Sequence, residues 1–135
     1  KDVRVGLAHH EQSALGALTK NLLTSLKKDD QNLYDLVQPN VKTNTPTADL
    51  LVNQLRTGSL DAAIVYRANL PYVKDKVDII EIKEGDPLAE QPIAILKTTD
   101  YPNLMQRLVD KLTSNPSRGI FESIGFRWRI TPESL

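Results

Sequence analysis

The chain changes its hydrophobic period several times. Val3, Val5 and Leu7 alternate with Arg4 and Gly6, a spacing of two that predicts a strand. Leu15, Leu18, Leu22 and Leu26 then recur on one stripe. They predict a helix with Ser13 as its N-cap, since a serine hydroxyl accepts a bond from a first-turn amide. That helix should fade at Lys27, Lys28, Asp29 and Asp30, where lysines suit the negative end of the macrodipole. Tyr34, Leu36, Val37 and Val41 suggest a short strand. Ala48, Leu51, Val52 and Leu55 follow the i, i+3, i+4, i+7 rule of a second helix. Thr45 before Pro46, or Thr47 after it, caps that helix, because proline is favoured in the first turn. Gly58 stands where a C-terminal cap glycine belongs.

Leu60 to Val65 form a short, nearly continuous apolar run, which reads as a strand buried on both faces. Residues 77–82 and 92–96 predict two more strands, with the polar loop KEGDPLAEQ between them. Leu104, Leu108 and Leu112 stripe a further helix. Asn115-Pro116 opens another, with Ile120, Phe121 and Ile124 facing inward and Gly125 at its end. The closing FRWRITPESL has no clear period.

This order, β-α-β-α-β followed by two strands and two helices, predicts an α/β domain: a mainly parallel sheet flanked by helices in three layers. The β-α-β order places the 3–7 and 62–65 strands in parallel in one sheet. Ligands of such sheets bind beyond the strand C-termini, near helix N-termini. Residues 8–15, 45–49 and 66–69 therefore share one rim. Tyr66 ends the apolar run and is followed at once by Arg67, Ala68 and Asn69, which suits a phenol at the edge of a cleft.

Length and composition narrow the classes. The 135 residues fit one domain, 1–135. Lys+Arg and Asp+Glu both number 17, so the balance gives no support to a nucleic-acid-coating protein. No apolar run approaches the roughly 20 residues of a membrane span, so no membrane insertion is expected. The opening KDVRVGLAHH lacks the regions of a secretory signal. The chain is then cytoplasmic, already processed, or cut from a longer protein. Cysteine is absent, which excludes disulfides and thiolate metal sites.

Several segments then carry a resemblance: VRVGLAHHEQSALGALTKNLL, TADLLVNQLRTGSLDAAIVYRANL, QPIAILK and FESIGF, in this order. Together they resemble the second lobe and C-terminal part of molybdate-type extracellular solute-binding proteins of ABC transporters. The resemblance covers residues 3–126, and its most specific part is the G-x-x-D-A-A-I-V-Y segment. It implies one lobe of a type II periplasmic-binding-protein fold, and an oxyanion held between two lobes by uncharged donors. It also implies a periplasmic or extracellular location, a transporter permease as partner, and no cofactor. The matching positions are Tyr66, the loop-helix junction at Ser13, Ala14 and Leu15, and the junction at Ala48 and Asp49. SALG replaces the proline and small residue that often precede the helix glycine, and Asp49 would repel an anion if it pointed inward. The first lobe does not precede these segments here, so a missing first lobe, or a second chain, is expected to complete the cleft.

Other readings stay open. The same fold serves as the sensing domain of a regulator or receptor, and a scaffold that binds no ligand is a third option. His9 and His10 invite a metal site, but adjacent strand residues point to opposite sides and there is no third histidine. A zinc site needs further ligands. Ser13 with a histidine and an aspartate would make a triad, yet no G-x-S-x-G elbow exists, so an enzyme is not expected. Asp61 is expected to order its turn. Arg127-Trp128-Arg129 reads as a packed indole between solvated arginines, not as a base-stacking platform.

Overall fold

The computed structural model describes residues 2–85 and 87–129. Asp86 of the polar loop and the tail from 130 onward lie outside the described residues. The chain separates into two compact units, Lys1–Ala89 and Glu90–Leu135.

The first unit is a three-layer α/β lobe. Its central sheet has the order β4-β1-β5 and is wholly parallel. The strands are β1 (Val5–Ala8), β4 (Val41–Thr45) and β5 (Ala62–Ala63). The parallel pairing of the first and third expected strands is thus present: Val5 faces Ala62 and Gly6 faces Ala63. Helix α1 (Ala14–Ser25) follows β1, and α3 (Ala48–Arg56) links β4 to β5. One crossover runs outward from β1 to β4 and the other returns past β1 to β5. Right-handed crossovers of opposite direction put α1 and α3 on opposite faces.

The alternation in β1 serves both layers. Gly6, Leu7 and Ala8 are all buried, although successive side chains point to opposite faces. A Cβ at Gly6 would collide with the side chain of Leu60 and lie 2.8 Å from Leu51. That position therefore takes only glycine while α3 lies this close. Leu51 is fully buried and anchors a cluster with Ala8, Leu15 and Leu60. On α1 the buried set is Leu15, Gly16, Thr19, Leu22 and Leu23, a wider stripe than the leucines alone predicted. Asp61 clamps the lower edge. Its carboxylate accepts from the Arg4 backbone N–H at 2.8 Å and from the guanidinium Nε and Nη2 at 2.9 and 2.8 Å. This fastens the residue before β5 to the residue before β1.

Four expectations need correction. The segment after α1 is a hairpin, β2 (Lys27–Lys28) with β3 (Gln31–Asn32). Asp29 and Asp30 turn it with φ of 50° and 64°, a left-handed pair that fits the twist of tight hairpins. The expected strand at 34–41 is instead the short helix α2 (Leu33–Val37), capped by Asn32, and the strand begins only at Val41. The run 60–65 is not buried on both faces. β5 is two residues long at a sheet edge, and Ala62 is exposed while Leu60 is buried. Finally, 77–82 and 92–96 form no strands. Strand propensity reflects burial on a pleated surface, and here Ile80 is 88% and Leu96 76% exposed.

In the second unit, α4 (Pro102–Leu112) carries the expected leucine stripe and α5 (Asn115–Ser123) opens where expected, but Ile120 and Ile124 are exposed and do not face inward as expected. Ser114 caps α5 by accepting from the Ser117 N–H. Phe121 packs edge-on against Phe126 and tilted against Trp128. The indole is therefore a packing group, and Arg129 pairs with Glu90 at 2.6 Å.

Candidate functional site

The site is built at the C-terminal ends of β1 and β4. Ala8 pairs with Thr45, and the His9 N–H continues the ladder to the Thr45 carbonyl at 2.7 Å. Beyond this level the chain leaves the sheet in two directions, because α1 and α3 lie on opposite faces. Such a divergence opens a crevice at the strand ends.

Two walls of the crevice are helix starts. Residues 9–13 turn tightly around the His9 carbonyl, which accepts from the N–H groups of Gln12 and Ser13 at 3.2 and 3.0 Å. Gly16 lets α1 approach this turn, for a Cβ there would collide with the same carbonyl. Ser13 takes the N-cap position of α1 in extended conformation, but its hydroxyl makes no cap bond. Thr47 does the same for α3, while its carbonyl accepts from the buried Thr45 hydroxyl at 2.8 Å. Neither helix has its first-turn amides capped by its N-cap side chain, and first-turn N–H groups lack partners within their own helix. Together with the macrodipole they make an anion-attracting end.

Tyr66 supplies the third wall. It lies three residues beyond the end of β5. Its ring packs, half-buried, on the cluster of Ala8, Leu15, Leu51 and Leu60, beside Ala48. The structure thus gathers Leu15, Ala48 and Tyr66 around the end of β1. Desolvation by burial pushes the phenol above the ordinary tyrosine value of 10.0. It therefore stays protonated at neutral pH and keeps an O–H to donate. Ser13 and Ala14 stand at the start of α1 beside this group. The Asp49 side chain is engaged elsewhere: its Oδ1 accepts from Asn69 Nδ2 at 3.0 Å.

A family model for bacterial extracellular solute-binding proteins matches residues 1–127. The chain belongs to that family. The chain is also 27% identical over 124 residues to a protein of Haemophilus influenzae named "Putative binding protein". That alignment takes in 92% of this chain and 49% of the relative, so the chain spans about half of the relative's length. No solved structure matches.

Two further features lie near the end of β1. His9 and His10 do not point to opposite sides as expected. They leave β1 at its end and stack with ring centres 5.5 Å apart, with His10 edge-on to Tyr34 and the Lys20 ammonium over the Tyr34 ring. Among the described residues no group of three or more His, Cys, Asp or Glu is placed to hold a metal, and no helix is long and apolar enough to cross a membrane. The residue that the sequence reading passed over is Asn69. It stood only as a polar neighbour of Tyr66, and the one available signal was an amide three residues past a strand end.

Proposed function

We propose that this chain is one half of a two-lobed clamp that captures a small tetrahedral oxyanion, of the molybdate or tungstate kind, for uptake by an ABC transporter. The observation that supports it is the pair of helix starts, α1 and α3. They flank the ends of adjacent parallel strands with their first-turn amides uncapped by side chains, and Tyr66 stands beside them. On this reading the backbone amides of Ala14, Leu15, Ala48 and Asp49, the Ser13 hydroxyl and the Tyr66 phenol donate to the anion. The role needs no counter-charge if every oxygen receives a bond, and hydrogen bonds to a charged acceptor are worth about 1.5–3 kcal/mol each. Binding without chemistry is the whole task, so the chain is not an enzyme in this account.

The other half of the clamp is the partner we propose for the uncovered apolar side chains. Ile79, Ile80, Ile93 and Leu96 are exposed in segments that read as strands, and Leu104 and Leu108 are exposed on α4. A relative about twice as long has room for a second lobe. Closure of two lobes on the anion would present a surface that a permease recognises, in the periplasm or outside the cell.

The test is a thermal-shift series on the full-length protein that contains this chain, with molybdate, tungstate, sulfate and phosphate. A specific ligand raises the melting temperature by mass action, by an amount set by its concentration over its Kd. One or two of these anions should raise it clearly at micromolar concentration. No response to any of the four up to millimolar concentration would refute the oxyanion reading.

A further inference from the structure

We infer that Asn69 is a positioning residue that keeps the anion rim open by holding the Asp49 carboxylate away from the amides of α3; this rests on the oxyanion reading above. Asp49 is the second residue of α3, in its first turn. A carboxylate there is drawn to the same N–H groups and the same positive helix end that an anion needs. Left free, it would compete with the ligand for them. The structure shows it turned to a partner twenty residues further on: Asp49 Oδ1 accepts from Asn69 Nδ2 at 3.0 Å.

Three points bear on this bond, which lies on the exposed side of the lobe. First, the Asn69 backbone N–H donates to the Tyr66 carbonyl at 3.0 Å. The amide that holds Asp49 is therefore fixed to the turn that carries Tyr66, and the start of α3 is tied to the phenol's own backbone. Second, Asn69 Oδ1 is buried with no hydrogen-bond partner among the described residues, so the amide's one described side-chain bond is the donation to Asp49. Third, the opposite amide orientation would set two acceptors face to face and leave the donors buried instead. Only the observed orientation serves the carboxylate. Asparagine suits this task because it is neutral. It fixes where the carboxylate points without adding a cation to the rim.

The test is a double-substitution cycle on the full-length protein, with molybdate affinity read by calorimetry. Asn69→Leu frees Asp49 and should weaken binding about tenfold, the range of one charged hydrogen bond. Asp49→Ala added to Asn69→Leu removes the competitor and should restore most of that loss, giving strong coupling between the two sites. A merely structural Asn69 predicts a loss that Asp49→Ala does not recover, and that outcome overturns the inference, as does an unchanged affinity in Asn69→Leu. Asn69→Ser, which shortens the reach without adding apolar bulk, runs the same cycle if the leucine variant fails to fold. If the unsubstituted protein binds molybdate and the cycle shows no coupling, only the role of Asn69 falls. If the unsubstituted protein binds no oxyanion, both readings fall.

Discussion

Helices α1 and α4 are nearly equal in length, twelve and eleven residues, and each carries a leucine stripe. Their fates differ. α1 buries five residues against the sheet of the first unit. α4 buries none, and Leu104 and Leu108 stay 53% and 48% exposed. The same contrast runs through the chain: every buried residue among those described lies between Gly6 and Val73. A helix stripe records that a face is meant to be covered, and it does not say by what. In the first unit the cover is local. In the second, the pattern is equally clear, yet α4 has no buried residue.

This contrast should appear first in stability. Leu51→Ala empties the best-buried position of the first unit and should cost about 2–5 kcal/mol. Leu108→Ala on α4 should stay within about 0.5 kcal/mol in this chain. Urea unfolding of the two variants compares them directly. A similar loss in both would mean that α4 has a core of its own. In the full-length protein the Leu108 substitution should become more damaging, if the proposed second lobe covers that face.

Gly6→Ala tests the tight seam between β1 and α3. The added methyl group meets Leu60 and Leu51, and overpacking of this kind costs about 1–3 kcal/mol. Stability equal to the parent would show that α3 can move away without loss. The rim would then be softer than the account requires.

A smaller effect is expected at the Arg4–Asp61 clamp, whose side chains are both about half exposed. The hydrogen bond and charge of Asp61 raise the Arg4 pKa above its already high ordinary value, so the pair stays intact through neutral and mildly alkaline pH. Asp61→Asn should lower the melting temperature slightly and more at low salt than at high salt. A salt-independent change would point to the backbone bond to Arg4 instead.

The smallest effect concerns Tyr66. Its phenol holds its proton to higher pH in the folded chain than in the unfolded one. The folded state then binds more protons once pH exceeds the ordinary value of 10.0. The stabilising contribution is complete below that pH and is lost as pH rises through the folded pKa. Tyr66→Phe should therefore flatten part of the alkaline fall in stability and leave the neutral melting temperature nearly unchanged. An equal alkaline fall in both proteins would show that the ring is not desolvated.

What the sequence made legible follows the same division between local and distant causes. Val5 and Leu7, the α1 leucines up to Leu23 and the Ala48–Leu55 spacing found their elements, because the partners lie within the same lobe, whereas Val3 and Leu26 fall just outside β1 and α1. Gly58, with φ of 72°, ended α3 as a cap glycine should. The hairpin at Asp29–Asp30 was hidden because two aspartates in left-handed conformation are a rarer turn signal than glycine. Strands at 77–82 and 92–96 were read from apolar runs that have no sheet to join here. Leu15, Ala48 and Tyr66 were legible as strand and helix ends, and they pack on one apolar cluster. The stacking of His9 on His10 and the grip of Asn69 on Asp49 were not legible. Both depend on side-chain directions in turns, which periodicity does not encode.

The central claim is that the two helix starts and the phenol form one anion rim. The most direct measurement is an amide-resonance titration of the full-length protein with molybdate, following the backbone N–H signals of this chain. The account predicts that Ala14, Leu15, Ala48 and Asp49 shift together along one saturation curve, while the signals of α4 residues near Leu108 follow lobe closure only. Saturable shifts that spare both helix starts would contradict it.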